Sequence, residues 1–104
     1  MQPNSLPQKQ TVFIIDDNEA VRDSIAALVD IRGVPVETFA SGEKFLAEYS
    51  DAAPGCVVTD FRMEQGMTGL DLQVALRERG FEIPVIVISA YANDVKLAYI
   101  YIRG

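Results

Sequence analysis

Three short apolar runs constrain this chain most: residues 12–15 (VFII), 56–59 (CVVT) and 85–88 (VIVI). Each is rich in β-branched residues and continuously apolar, where a half-exposed strand would alternate apolar with polar. That pattern belongs to strands buried on both faces, and hence to a parallel sheet covered by helices. Helical patterns lie between the runs. Over residues 19–32 the apolar Val21, Ile25, Leu28 and Val29 fall on one face. Asp17 or Asn18 is placed to cap its start, and Gly33 suits the left-handed position beyond its end. Residues 36–39 read as a strand introduced by Pro35, and Ser41 opens a short helix with Phe45, Leu46 and Tyr49 inward. Pro54 and Gly55 break the chain before the second apolar run. Thr68 and Asp71 match a capping box, heading a helix that buries Leu72, Ala75 and Leu76 and stops at Gly80. The predicted order is β-α-β-α-β-α-β with right-handed crossovers, an open, doubly wound parallel α/β sheet.

Residues 91–104 carry two patterns. Asn93 or Asp94 could cap a helix with Val95, Ala98 and Ile102 inward. Residues 98–102 (AYIYI) are also β-branched and aromatic, which suits a strand. The helix is the preferred reading and the strand its alternative. At 104 residues the chain is one domain. Residues 1–10, polar with two prolines, read as a disordered lead-in without the apolar core of a leader peptide, and 11–104 as the folded unit.

Composition narrows the function. The net charge is −6 and no Lys or Arg run stands out, so direct nucleic-acid binding by this chain is not expected. No apolar stretch approaches a membrane span. The single Cys56 has no internal disulfide partner, which fits a cytoplasmic protein. The chain contains no histidine, which excludes Ser-His-Asp triads, Cys-His pairs and HExxH zinc sites.

The chemistry lies in three carboxylates. In an open parallel sheet, ligands bind beyond the C-terminal ends of the strands. Asp16 and Asp17 end the first strand and Asp60 ends the third; a doubly wound order makes those strands neighbours. Taken singly, each of these aspartates is equally well a helix cap or a solvated charge. Their joint placement at two adjacent strand ends is harder to dismiss. Carboxylates this close repel unless a cation sits among them or one is protonated. An all-oxygen set without His or Cys points to Mg²⁺ over zinc. Mg²⁺ keeps waters and binds phosphate oxygens, so the site suits phosphoryl chemistry, in which a carboxylate can itself be the nucleophile. Ser89 ends the fourth strand near the same rim, as a turn serine or as a hydroxyl donor to a phosphoryl oxygen on Asp60.

Taken together, residues 14–18 (IIDDN), 57–63 (VVTDFRM), 69–71 (GLD) and 84–90 (PVIVISA) resemble the response-regulator receiver family of two-component signalling. Residues 54–56 and 69–73 are most similar to its FixJ-type subgroup, which often carries a helix-turn-helix output domain. The resemblance implies a flavodoxin-like (CheY-like) fold with Asp60 as phosphoacceptor. It implies Asp17 and Asp60 as direct Mg²⁺ ligands, Asp16 acting largely through water, the backbone carbonyl of Arg62 as a further ligand, and Ser89 as the switch hydroxyl. It implies a signalling module, not an enzyme, that receives its phosphoryl group from a sensor histidine kinase and switches partner contacts.

The chain departs from the family pattern in two places. After Met63 the loop lacks the usual proline, is one residue longer, and carries Glu64. The family also continues into a fifth strand ending in Lys-Pro and a fifth helix; the fold is therefore expected to be incomplete at its C-terminus, without that strand, its lysine and that helix. An unpaired edge and bare apolar surface would then favour a homodimer or segment-swapped self-association. Two other functions compete with the receiver. One is a receiver-like interaction module without phosphotransfer. The other is a phosphatase of the haloacid dehalogenase type, which would want an Asp where Arg62 stands and a far longer chain.

Overall fold

The structure, a computed structural model, describes residues 10–49, 54–60, 66–91 and 94–102, and from residue 89 onward it does so through the backbone. Its elements are β1 (Thr11–Ile15), α1 (Glu19–Ile31), β2 (Val36–Phe39), α2 (Gly42–Glu48), β3 (Gly55–Asp60), α3 (Gly69–Glu78), β4 (Val85–Tyr91) and β5 (Asp94–Ile102). The first seven follow the predicted order. The sheet runs β2-β1-β3-β4-β5, with β2, β1, β3 and β4 parallel. The chain reverses direction at β1, where β2 lies on one side and β3 on the other, as in other doubly wound sheets.

Local signals explain the boundaries. The Asn18 side chain caps α1 by accepting from the Val21 N–H at 3.1 Å, and Gly33 follows the helix at φ +75°. Ser41 caps α2 through the Lys44 N–H. The capping box at α3 closes both ways: the Asp71 N–H donates to Thr68 Oγ1 at 3.1 Å and the Thr68 N–H to Asp71 Oδ2 at 3.0 Å. Gly55 sits at φ +146°, and a Cβ there would collide with the Thr11 carbonyl oxygen, so β1 and β3 close together at this end only over a glycine.

Alternation along the strands divides the sheet. Phe13, Ile15, Val57, Val85 and Val87 face α2 and α3 and form the core with Phe45, Leu46, Leu72 and Leu76. An aromatic cluster closes its β2 side: Phe45 packs against Phe13 at 5.3 Å and stacks on Tyr49 at 5.0 Å, and Tyr49 meets Phe81 edge-on. Among the described elements, the other face carries α1 alone, over β1 and β2. Leu28, expected on the inward face of α1, is 68% exposed. The row Val21, Ile25, Val29 meets the sheet, and Leu28 is turned off it toward a flank that no element covers among the described residues.

Two expectations for the C-terminal segment change. The helix preferred for 93–104 is replaced by β5, a strand that begins at Asp94 and spans the alternative 98–102 segment; Asn93, Arg103 and Gly104 lie outside the described residues. The place beside β4, where the family's parallel fifth strand was expected to be missing, is taken by β5 running antiparallel, in two paired stretches, Val85↔Ile102 to Val87↔Ile100 and Ser89↔Lys96 to Tyr91↔Asp94, separated by a break in register. A β-rich sequence next to an open strand edge gains a ladder of hydrogen bonds that a lone helix would forgo. The lead-in assigned to 1–10 falls outside the described residues except for Gln10.

Candidate phosphoacceptor site

Asp16 and Asp60 are brought together by register. Ile15 pairs with Thr59 across β1 and β3, so the next row beyond the sheet is Asp16 beside Asp60. Neighbouring strands stand about 4.8 Å apart. Asp16 is held by three backbone bonds. Its N–H donates to the Phe39 carbonyl at 3.1 Å, its Oδ1 accepts from the Asn18 N–H at 2.8 Å, and its carbonyl accepts from Arg22 Nη1 at 2.7 Å. Its side chain is 1% exposed, and Oδ2 has no hydrogen-bond partner among the described residues. Asp60 is 8% exposed and Asp17 exposed.

Burial pushes the Asp16 carboxyl above its ordinary value; Asp60 and Asp17 push the same way, while the Asn18 N–H and Arg22 oppose them. A carboxylate buried with one oxygen unpartnered beside two further carboxylates favours protonation or a cation. Among the described residues no group of three acidic, His or Cys side chains is placed to hold one metal ion; Asp16 and Asp60 are buried at adjacent strand ends and Asp17 is exposed.

Ser89 lies in β4 one row past Ile88, which pairs with Asp60, and its backbone pairs with Lys96 of β5. The strand extends to Tyr91, three residues past the predicted run. Arg62, expected to offer a carbonyl ligand, and Glu64 lie outside the described residues. On the far side of the sheet end, Gly69 brings α3 close: a Cβ there would stand 2.8 Å from Thr59 Cγ2, so the helix start packs directly behind Asp60. Arg22 was missed by sequence reading. Nothing in its spacing from Asp16 distinguishes it from a surface arginine of an amphipathic helix.

The model of the response regulator receiver domain matches residues 12–102. The chain belongs to the response regulator receiver family. This receiver is 44% identical over 93 residues to the transcriptional regulatory protein TdiR of Thauera aromatica, covering 89% of this chain and 40% of TdiR. It is 41% identical over 88 residues to the transcriptional regulatory protein FixJ of Rhizobium meliloti, covering 85% of this chain and 42% of FixJ. Among solved structures, the receiver resembles FixJ-N with a TM-score of 0.74 at 40% identity, covering 83% of this chain and 68% of that one. The receiver thus spans about two-fifths of the length of these curated relatives. No helix among the described residues is long and apolar enough to cross a membrane.

Proposed function

We propose that this receiver accepts a phosphoryl group on Asp60 from a sensor histidine kinase, in a Mg²⁺-dependent reaction, and passes the resulting change to partner contacts. The observation that carries the proposal is Asp16, buried with an unpartnered Oδ2 beside Asp60. Such a carboxylate suits a site that takes up a hard cation, and the donor set is all oxygen. Asp16, Asp17, Asp60 and the Arg62 carbonyl would hold Mg²⁺, which when bound offsets negative charge on the incoming phosphoryl oxygens. Asp60 supplies the nucleophilic oxygen. Its bond to phosphorus forms as the bond from phosphorus to the kinase imidazole breaks, and the imidazole leaves with a proton. Arg22 acts as a positioning residue, fixing the main chain of Asp16 from α1. Ser89, at the rim beside the Asp60 row, donates to the transferred group and couples it to the β4–β5 backbone.

The folded unit is taken to start at residue 11, with 1–10 as its lead-in. The module is a signalling element and not an enzyme, working in the cytoplasm. Curated relatives are named as transcriptional regulators, and this chain matches two-fifths of them. Output on transcription, and any DNA contact, is therefore assigned to parts of such proteins outside the matched region. Incubation with acetyl phosphate and Mg²⁺, followed by intact mass, tests the proposal. One phosphoryl adduct is expected, absent in Asp60→Asn and without Mg²⁺. Sustained release of free phosphate would favour a phosphatase, and no adduct would favour an interaction module without phosphotransfer.

A further inference from the structure

Residues 61–68 join β3 to α3, and the end of this connection lies against the start of α2. Met67 covers Gly42, the first residue of α2: a Cβ on Gly42 would stand 2.7 Å from both Cγ and Sδ of Met67. Gly42 thus leaves room for an approach that any larger residue would obstruct. Beside it Gly66, at φ +82°, lies against Glu43, whose Oε2 would stand 2.8 Å from a Cβ there. Met67 is half-buried and packs against the core from outside.

This contact closes a ring around the carboxylate pair. On one side, Asp16 and Asp60 follow Ile15 and Thr59, which pair directly across β1 and β3. On the other, the Asp16 N–H donates to the Phe39 carbonyl at 3.1 Å, and the chain passes from Phe39 into α2 at Gly42. Met67 carries the path from Gly42 to Thr68, the cap of α3. Gly69 then sets α3 against Thr59, the residue before Asp60. The bond from Arg79 Nη1 to the Leu46 carbonyl ties α2 and α3 at their far ends; at their starts the tie is Met67, with Leu72 behind it. We infer that Met67, seated on Gly42, is a positioning residue that holds Asp60 in place relative to Asp16. The inference deepens the phosphoacceptor reading and rests on it. A hard cation such as Mg²⁺ demands near-ideal placement of its oxygen ligands. A misplacement of about 1 Å, caused far from the reacting atoms, can cost on the order of 10²-fold in rate. Methionine suits this position because its unbranched side chain fills an irregular gap between two helix starts.

Gly42→Ala is the sharpest probe, because the added methyl meets a flexible side chain that can swing aside while the fold stays intact. Two-dimensional amide NMR spectra of the 104-residue chain without metal read position. Mg²⁺ titration and the rate of adduct formation with acetyl phosphate read function. Gly42→Ala and Met67→Ala are each expected to shift the Asp16, Thr59 and Asp60 amides, and to weaken Mg²⁺ binding and slow the adduct by about tenfold. Met67→Leu, of similar volume, should stay within about twofold of the parent. Gly42→Ala combined with Met67→Ala should lose less than the two changes multiplied, since the added methyl enters space the methionine vacates. Ile83→Val, a buried change at the opposite end of the sheet, should lower the melting temperature and leave all three readouts at the parental level. The inference is overturned if the three amides stay put in both single variants. It is overturned equally if Mg²⁺ affinity and rate fall with melting temperature alone, Ile83→Val included, or if the paired changes simply multiply. A parent that binds no Mg²⁺ and forms no adduct would sink the phosphoacceptor reading, and the amide shifts would then decide by themselves whether Met67 holds Asp60 against Asp16.

Discussion

Among the described carboxyl groups, Asp16 is the one whose titration is clearly displaced. Its carboxyl is held above the ordinary value of 3.8, chiefly by burial. The folded state therefore keeps a proton that the unfolded chain has already released. Stability from this group is fully present below pH 3.8, declines as pH rises through the interval up to the folded value, and stays lower above it. Replacing Asp16 with Asn removes the charge and keeps the shape. Without metal at pH 7, Asp16→Asn is expected to be more stable than the parent and to melt at a higher temperature. The difference should vanish as the pH is lowered below 3.8. On the proposed function Mg²⁺ adds the opposite effect, raising the midpoint of the parent at pH 7 and that of Asp16→Asn much less. Thermal melts across pH, with and without Mg²⁺, measure both.

At the scale of elements, α3 matters because its first turn backs the strand end that carries Asp60. Gly69 lies against Thr59 and Val87, and any larger residue would push the helix from the sheet. The helix start is secured one residue earlier by the reciprocal bonds of Thr68 and Asp71. Its far end is tied to α2 by Arg79, whose Nη1 donates to the Leu46 carbonyl at 3.0 Å. Thr68→Ala is expected to cost about 0.5–2 kcal/mol, and Thr68→Ser much less, because serine keeps the oxygen that accepts from the N–H of Asp71. Urea unfolding should show the loss as a lower midpoint with an unchanged slope, since the surface exposed on unfolding stays the same.

The whole molecule is asymmetric about its sheet. The face under α2 and α3 is closed by an aromatic and aliphatic core, whereas the face under α1 leaves Cys56, Val58, Ile86 and Ile88 half-buried, and α1 itself buries no residue fully. Leu28 and Ile31 project from α1 at 68% and 78% exposure. Leu28→Lys and Ile31→Lys are therefore expected to change stability by less than about 0.5 kcal/mol. Leu72→Ala, which opens a cavity on the closed face where Leu72 is fully buried, should cost about 2–5 kcal/mol. Chemical denaturation of the three variants compares the two faces. A cost above 1 kcal/mol for either lysine variant would show that α1 is more deeply packed than its exposure indicates.

The parallel strands, the three helices with their caps, and the aspartates at two strand ends were legible in the sequence. Each rests on a local rule: a two-sided apolar run has to be covered, Thr68 and Asp71 satisfy each other's backbone, and a residue just after a buried strand lies at the sheet's rim. What tertiary structure decided is everything that depends on a neighbour. The pattern of residues 98–102 fits a helix or a strand, and the open side of β4 selected the strand. Leu28 has the spacing of an inward residue, yet it lies exposed because no element among the described residues covers that flank. Arg22 became part of the site only when α1 was laid against β1, bringing its guanidinium to the Asp16 carbonyl. Likewise the Asp16 carboxyl, an ordinary acid as a residue type, was raised by burial and by Asp60 on the next strand, and both of these follow from chain packing and not from chain order.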